Sequence, residues 1–397
     1  MDYVFTEATP VSFDNTAIAF SYKSDQDLRK TYWLFKAVGN PFLTNVGTKL
    51  VKIALKLKLP IHSVLKHTLF QQFCGGETIA DSNETIQMLA SHNVKTILDY
   101  SVEVTKNEEG FEHTTAELLR VIEAAKNNPD MPFCAFKMTG IMQFELMEKA
   151  QAGKALSAEQ EAAFNRGKAR LERLCEASHQ ADVGIFIDGE ESWIQEVIDD
   201  LADEMMQRFN QEKVIVYNTY QMYRHKMLDN LKAAYRRAVT HQYFLGVKLV
   251  RGAYMEKERE RAEELGYHDP IQQNKEATDE DYNRAVLYCL NHKQRISLCS
   301  GSHNEYSNYY LAMLMEKHSM KPNDPRVYFA QLYGMSDNIS FNLSRDGFNV
   351  AKYLPYGPLE AVMPYLFRRA EENTSVRGQS SRELTLVTRE LKRRKRT

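Results

Sequence analysis

Eight short, β-rich apolar runs recur between residues 94 and 357, with helical stretches following most of them. They read VKTILDYSVE (94–103), PFCAFKMTG (132–140), VGIFIDGEE (183–191), KVIVYNTYQ (213–221), LGVKLVRGAY (245–254), RISLCSG (295–301), RVYFAQLYG (326–334) and FNVAKYLPYG (348–357). Helical periodicity covers 114–127, 158–179, 192–211, 221–240, 276–292 and 304–317, and a last helix runs from Pro358 to Glu372. Repeated strand–helix units imply a parallel sheet with right-handed crossovers. Eight of them in roughly 280 residues suit an α/β chain closed into a (βα)8 TIM barrel. An open doubly wound sheet is the alternative, weakened because no G-x-G-x-x-G follows any run.

The stretch before the barrel reads as an N-terminal helical region, residues 1–91. Ser24 and Asp27 form a helix-start signal there, and Gly39-Asn40-Pro41 and Pro60 are breaks. Segment 47–59 is basic and amphipathic, which suits packing on a neighbour or lying on a membrane surface. The barrel is expected over 92–378 and a basic tail over 379–397. That tail, Lys392-Arg-Arg-Lys-Arg396, reads as a solvated end or as a steering patch for anionic lipid near a quinone pool.

Among the 397 residues, 43% are apolar and 26% charged, with a net charge of −2. Such a chain is a globular protein with no overall pull toward nucleic acid. Five scattered cysteines without a C-x-x-C argue against a disulfide framework or a zinc site. Together with an N-terminus lacking a signal-peptide core, and no apolar run of membrane-spanning length, they suggest a bacterial cytoplasmic protein.

In such barrels chemistry sits at the C-terminal ends of the strands. Here those ends are polar in run after run: Asp99 and Glu103, Lys137, Asp188 and Glu190, Asn218, Lys248 and Arg251, Ser302-His303-Asn304, Gln331 and Tyr353. A lysine or aspartate inside a β-run costs several kcal/mol unless it is paired, so any one of these could be a structural ion pair. The final helix adds a face of Tyr365, Arg368, Arg369 and Glu372 beside its apolar stripe. A solvated Arg–Glu face is the plain reading; a guanidinium pair gripping a carboxylate is the sharper one. The summed mouth is cationic and calls for an anionic ligand. Metal-ligand spacing is missing, as are a nucleophile elbow and an aromatic, basic nucleic-acid surface.

KLVRGAY (248–254), QLYGM (331–335) and YLPYGPLEAVMPYLFRRAEEN (353–373) resemble the proline dehydrogenase family, and FIDGEE (186–191) and SHN (302–304) agree with it. The resemblance implies a distorted (βα)8 barrel, monofunctional in a chain of this kind. It implies FAD-dependent oxidation of L-proline to Δ1-pyrroline-5-carboxylate, the first step of proline catabolism. Hydride would pass from proline C5 to flavin N5, and electrons to a quinone. It implies that Lys137, Arg368 and Arg369 hold the carboxylate, while Tyr353, Tyr365 and Leu332 wall the ring. Asp188 would order the lysine and tyrosine around it, which places Asp188, Lys137, Lys248 and Tyr353 in the catalytic group. For the cofactor it implies Gly189, Asn218 facing the flavin, Lys248 at its polar edge, Arg251, Gly252 and Ala253 near the ring system and pyrophosphate, and Ser302 and His303 toward the adenine half. Glu372 would brace an arginine or meet a cofactor hydroxyl. No general base is evident. Lys248 stands where many members have arginine, Arg251 where many have lysine, Asn218 for glutamine and Met255 for tryptophan; the first two keep their charge, and the flavin potential is what these changes bear on. The bulky Tyr353 favours proline over hydroxyproline. The rival readings are a hydroxyproline dehydrogenase, a Schiff-base lyase or aldolase using Lys137 or Lys248, and a flavin-binding scaffold without turnover.

Overall fold

The computed structural model describes residues 11–38, 65–102, 106–375 and 379–396, except the side chains of 369–375 and 379–381. Segment 47–59 and Glu103 lie outside the described residues. Eight parallel strands close in sequence order into a barrel: β1 (Val94–Tyr100), β2 (Phe133–Phe136), β3 (Gly184–Ile187), β4 (Val216–Gln221), β5 (Leu245–Val250), β6 (Ile296–Gly301), β7 (Val327–Leu332) and β8 (Val350–Tyr356). Every one of the eight apolar runs thus supplies a strand. Helices α1 (Thr16–Ala19), α2 (Asp25–Val38) and α3 (Ile79–Ser91) precede β1, with a π-helical turn at Lys66–Phe70 running into Gln71–Phe73. Then follow α4 (Glu108–Ala125), α5 (Phe144–Gln151), α6 (Ala158–Ala181), α7 (Ser192–Phe209), α8 (Met227–Thr240), α9 (Met255–Leu265), α10 (Lys275–Asn291), α11 (Glu305–Lys317), α12 (Asp337–Arg345), α13 (Leu359–Ser375) and α14 (Gln379–Arg394).

The helix starts are set by short polar side chains that satisfy otherwise orphaned N–H groups. Ser24 Oγ accepts from Asp27 N at 3.1 Å and donates to its carboxylate at 2.6 Å. Ser157 and Gln160 form a full capping box on α6, and Asn304 caps α11 through Ser307 N at 3.0 Å. The helix expected over 221–240 begins only at Met227, because β4 runs on to Gln221 and Lys226 turns the chain at φ 64°.

The chain divides into two compact units, residues 1–103 with 331–397, and residues 104–330. Within the second, strand alternation decides which side chains fill the barrel. Phe133 stacks on Phe186 at 4.6 Å and meets Tyr328 edge-on at 4.7 Å and Tyr217 at 5.6 Å. Contact between β2 and β7, which are not neighbours, puts these rings inside. Gly184 makes room for them: a Cβ there would sit 2.3 Å from the Phe133 ring. Five free cysteines, Cys74, Cys134, Cys175, Cys289 and Cys299, are all buried.

Within the first unit, β1 and β8 pair in register from Val94↔Val350 to Tyr100↔Tyr356. The segment expected as a basic tail is largely helical. Its residues form α14, which buries Leu386 and Val387 against Ala19, Phe20 and Leu28. Arg393 and Arg394 each pair with Glu390 at 2.8 Å, and Arg394 also reaches Asp25 at 2.9 Å. An apolar stripe at Leu384, Leu386, Val387 and Leu391 gives these cations a helix to stand on, while Lys392, Arg393, Lys395 and Arg396 stay exposed at its end. Among the described residues no helix is long and apolar enough to cross a membrane.

Candidate active site

In the second unit, β3, β5 and the turn after β2 bring three charged groups together. Lys248 is in register with Thr219 on one side and Cys299 on the other, so it shares the inward face. Its Nζ lies 2.6 Å from Asp188 Oδ1 and 5.5 Å from the Phe186 ring centre. Lys137, which starts the short turn Met138–Gly140, has its Nζ 3.9 Å from Asp188 Oδ2. The Lys248 side chain is 7% exposed and that of Lys137 36%. Two ammoniums thus flank one carboxylate, Lys248 sealed and Lys137 partly open to solvent.

The neighbouring acid, Glu190, does not join that trio. It is 2% exposed, and its carboxylate accepts from Thr139 N at 3.0 Å and Thr139 Oγ1 at 2.5 Å. Burial pushes its pKa up to about 7, against the pull of the Thr139 bonds and Lys137. Glu190 therefore ties the end of β3 to the turn that carries Lys137. Gly189 packs so closely under Gln221 that a Cβ would lie 2.9 Å from the amide nitrogen.

A second polar cluster follows β5 and β6. Arg251 donates through Nε to Asp279 at 2.7 Å, through Nη1 to Ser302 Oγ at 2.8 Å and through Nη2 to Ser307 Oγ at 2.9 Å. Its guanidinium lies 4.5 Å over the Tyr282 ring. Next to it Gly252 adopts φ 137°, and a Cβ there would come within 2.3 Å of the Tyr223 ring. Only glycine combines that backbone with that closeness. Ala253 is exposed and His303 half-buried on the same loops.

Two expected strand-end groups are corrected by the period-two alternation of strands. Asn218, expected to face a flavin, sits beside Ile187 and one residue out of phase with the inward Thr219. Its amide donates to Asp199 Oδ1 on α7 at 2.8 Å, and its Oδ1 accepts from Thr219 N. Asp199 in turn accepts from Gln195, whose side-chain oxygen takes the Glu190 N–H. Burial raises Asp199 to about 6. Gln331 likewise turns to the helix layer, accepting from Ser340 Oγ at 2.8 Å, which leaves its neighbour Leu332 on the inward face.

The first unit carries the remaining residues. Tyr353 is 8% exposed on β8, and its carbonyl accepts from Tyr333 N at 2.8 Å. Leu332 and Tyr365 pack against a cluster that includes Phe70, Phe73, Met335, Val362 and Leu366. Arg368 is half-buried on α13; Arg369 and Glu372 stand on the same helix, outside the described side chains. Asp99 is buried on β1 and accepts from Ser101 Oγ at 2.5 Å.

Sequence reasoning missed a buried lysine in this unit. Lys352 is fully buried on β8, out of phase with Tyr353, with Nζ 2.9 Å from Asp337 Oδ1 on α12 and 2.5 Å from the Met335 carbonyl. Tyr22 donates to the other Asp337 oxygen at 2.6 Å. Burial raises Asp337, but the ammoniums of Lys352 and Lys23 outweigh it and hold the carboxyl below its ordinary range. A lysine in the apolar run VAKYLPY was the available signal.

The sequence matches the family model for proline dehydrogenase over residues 82–382. It is 30% identical to proline dehydrogenase 1, mitochondrial, of Dictyostelium discoideum across 96% of this chain and 74% of that protein. It is 34% identical to the carbapenem antibiotics biosynthesis protein CarD of Pectobacterium carotovorum subsp. carotovorum across 81% of this chain and 83% of that one. Its fold is similar to that of proline utilization A (PutA) from Bdellovibrio bacteriovorus, with a TM-score of 0.71 at 19% identity. That likeness covers 94% of this chain but 40% of the solved one, so the chain spans about two fifths of the length of that structure.

Proposed function

This chain belongs to the proline dehydrogenase family, and on that premise we propose that it oxidises L-proline to Δ1-pyrroline-5-carboxylate with FAD and delivers the electrons to a quinone. The observation that supports the reading is the Lys137–Asp188–Lys248 trio, two ammoniums set around one carboxylate, groups whose chemistry suits an amino acid's carboxylate. Lys137, Arg368 and Arg369 bind that carboxylate. Leu332, Tyr353 and Tyr365 enclose the ring, and the size of Tyr353 favours proline over a hydroxylated ring. Asp188 fixes Lys248 and, at longer range, Lys137.

The second polar cluster fits a flavin dinucleotide by its chemistry. A guanidinium has five N–H donors; three of those of Arg251 are spent on Asp279, Ser302 and Ser307, and two remain for a phosphate. The hydroxyl of Ser302 and the side chain of His303 suit polyol and ribose oxygens. Gly252, pressed on Tyr223, lets backbone come close to a flat ring system. Lys248 supplies a cation at the polar edge of that ring, and Gly189 and Ala253 complete the loops beside it. When bound, FAD supplies the two-electron acceptor for breaking the C–H bond. The chain's own part is orientation and charge: it pins the carboxylate and keeps the ring dry, while the amine proton leaves to solvent.

The sealed thiols support a reducing compartment, and we place the protein in the cytoplasm. The exposed Lys392, Lys395 and Arg396 at the end of α14 support peripheral contact with an anionic membrane that holds the quinone. The deciding experiment is an anaerobic absorbance spectrum of the purified protein. A yellow protein bleached by L-proline is expected; a colourless chain that takes up no added FAD, or a flavin that proline leaves oxidised, overturns the assignment. Arg368→Met or Arg369→Met is expected to raise KM for proline by the equivalent of about 2–5 kcal/mol, with flavin content kept.

A further inference from the structure

The turn between β7 and α12, residues 332–336, is held by polar side chains from three separate places. Lys352 Nζ on β8 donates to the Met335 carbonyl at 2.5 Å and reaches the Leu332 carbonyl at 3.4 Å. Gln72 Nε2 donates to the Gly334 carbonyl at 2.8 Å. Glu383 on α14 accepts the Ser336 N–H on its Oε1 at 2.5 Å. The turn needs this help. Ser336 sits at φ 53° and Gly334 at φ 76°, and a Cβ on Gly334 would lie 2.0 Å from the Gln72 carbonyl oxygen. Such backbone persists only where its surroundings over-determine it.

Glu383 is 5% exposed and lies just past residue 382, where the family match ends. A buried carboxylate inserted from a C-terminal helix into a strained turn is costly to keep unless the bond it makes is used. The turn it meets begins at Leu332, on the inward face of β7.

We propose that Glu383 is a positioning residue: through the Ser336 amide it holds the β7–α12 turn in the conformation that seats Leu332 against the substrate ring, making α14 part of the specificity machinery. The inference rests on the substrate reading given above. Lys352 and Gln72 secure the carbonyls of the turn, and Glu383 secures the Ser336 N–H. Losing the Glu383 acceptor lets the turn relax and widens the slot, so ring binding and ring-size discrimination suffer while the chemistry of a correctly bound ring is kept.

The test uses the full chain with three variants. Glu383→Ala removes the acceptor, Glu383→Asp withdraws it by one methylene, and Glu383→Gln keeps a carbonyl oxygen in place. Expected for Glu383→Ala is a rise in KM for L-proline of about tenfold, with kcat within about twofold, a smaller preference for proline over its six-membered homologue pipecolate, and faster hydrogen exchange at the Ser336 amide. Glu383→Asp shows the same changes in smaller measure, and Glu383→Gln restores KM and exchange to near wild type. Unchanged KM in Glu383→Ala, a fall in kcat alone, or a Glu383→Gln protein as impaired as Glu383→Ala overturns the proposal. If the wild-type protein does not respond to L-proline, the substrate reading has failed, and the Ser336 exchange rates decide the clamp by themselves: protection independent of residue 383 sinks it.

Discussion

Lys248–Asp188 and Lys352–Asp337 are two buried lysine–aspartate pairs, one in each compact unit, separated by 2.6 and 2.9 Å. Each has a buried glutamate close by in sequence or space with a pKa pushed up to about 7, Glu190 in one and Glu383 in the other. They differ in what occupies the second carboxylate oxygen. In the Asp337 pair it is the Tyr22 hydroxyl at 2.6 Å, and the lysine is wholly buried. In the Asp188 pair it is a second, 36% exposed ammonium 3.9 Å away. A closed ion pair fixes backbone; a pair with a second, reachable cation presents charge to a ligand. The residue types are the same, and what differs is the second group on the carboxylate, a buried hydroxyl in one pair and a partly exposed ammonium in the other.

The comparison breaks most visibly in activity. Asp188→Asn is expected to lower kcat/KM by about a hundred- to a thousandfold, as removing one partner of a buried charge pair at a binding site costs about 2–5 kcal/mol; loss of less than tenfold would put Asp188 with the structural pairs. In stability the order reverses. Lys352→Met, which strands Asp337, should cost about 3–5 kcal/mol in denaturant unfolding, and adding Asp337→Leu should return most of it. The matching double change at Lys248 and Asp188 should recover stability and not turnover. Asn218→Ala should cost about 1–3 kcal/mol by taking one of its two amide donors from the buried Asp199, while flavin occupancy, read from the absorbance ratio, stays at the wild-type level.

The smallest effect is on pH. Burial raises Glu190 and Glu383, so the folded protein binds their protons more tightly than the unfolded chain does. Their contribution is complete below about pH 4.5 and is lost as pH rises through about 7. Replacing either with glutamine should flatten the decline of Tm between pH 5 and 8 by on the order of a few degrees. Lys137 and Glu191 face Glu190, whereas Asp337, Lys352 and Lys23 face Glu383. Only Glu190→Gln should also reshape the pH profile of kcat/KM, because only it faces Lys137, the lysine proposed to bind the carboxylate.

The barrel was legible because each strand is a short apolar run between turn signals, a pattern that survives without knowledge of packing. Helices with little apolar stripe were not. In α9, MEKERERAEEL, only Glu258 and Ala262 are buried, so its periodicity is carried by charge. Lys137, Asp188 and Lys248 stood out as charged residues at strand ends. Asn218 and Gln331 stood out equally, yet they face the helix layer. One residue of register decides between the two faces, and a lone sequence does not print register. Lys352 illustrates the converse: one residue out of phase with Tyr353, it faces the helix layer and pairs with Asp337 there.

The sequestered cysteines have a practical corollary. Burial drives the Cys134 and Cys299 thiols up to about 12 and raises the other three as well, so almost no thiolate is available to an alkylating reagent while the chain is folded. Uptake of iodoacetamide therefore works as a clock for opening, and its five labels, spread over Cys74 to Cys299, time each part of the molecule separately.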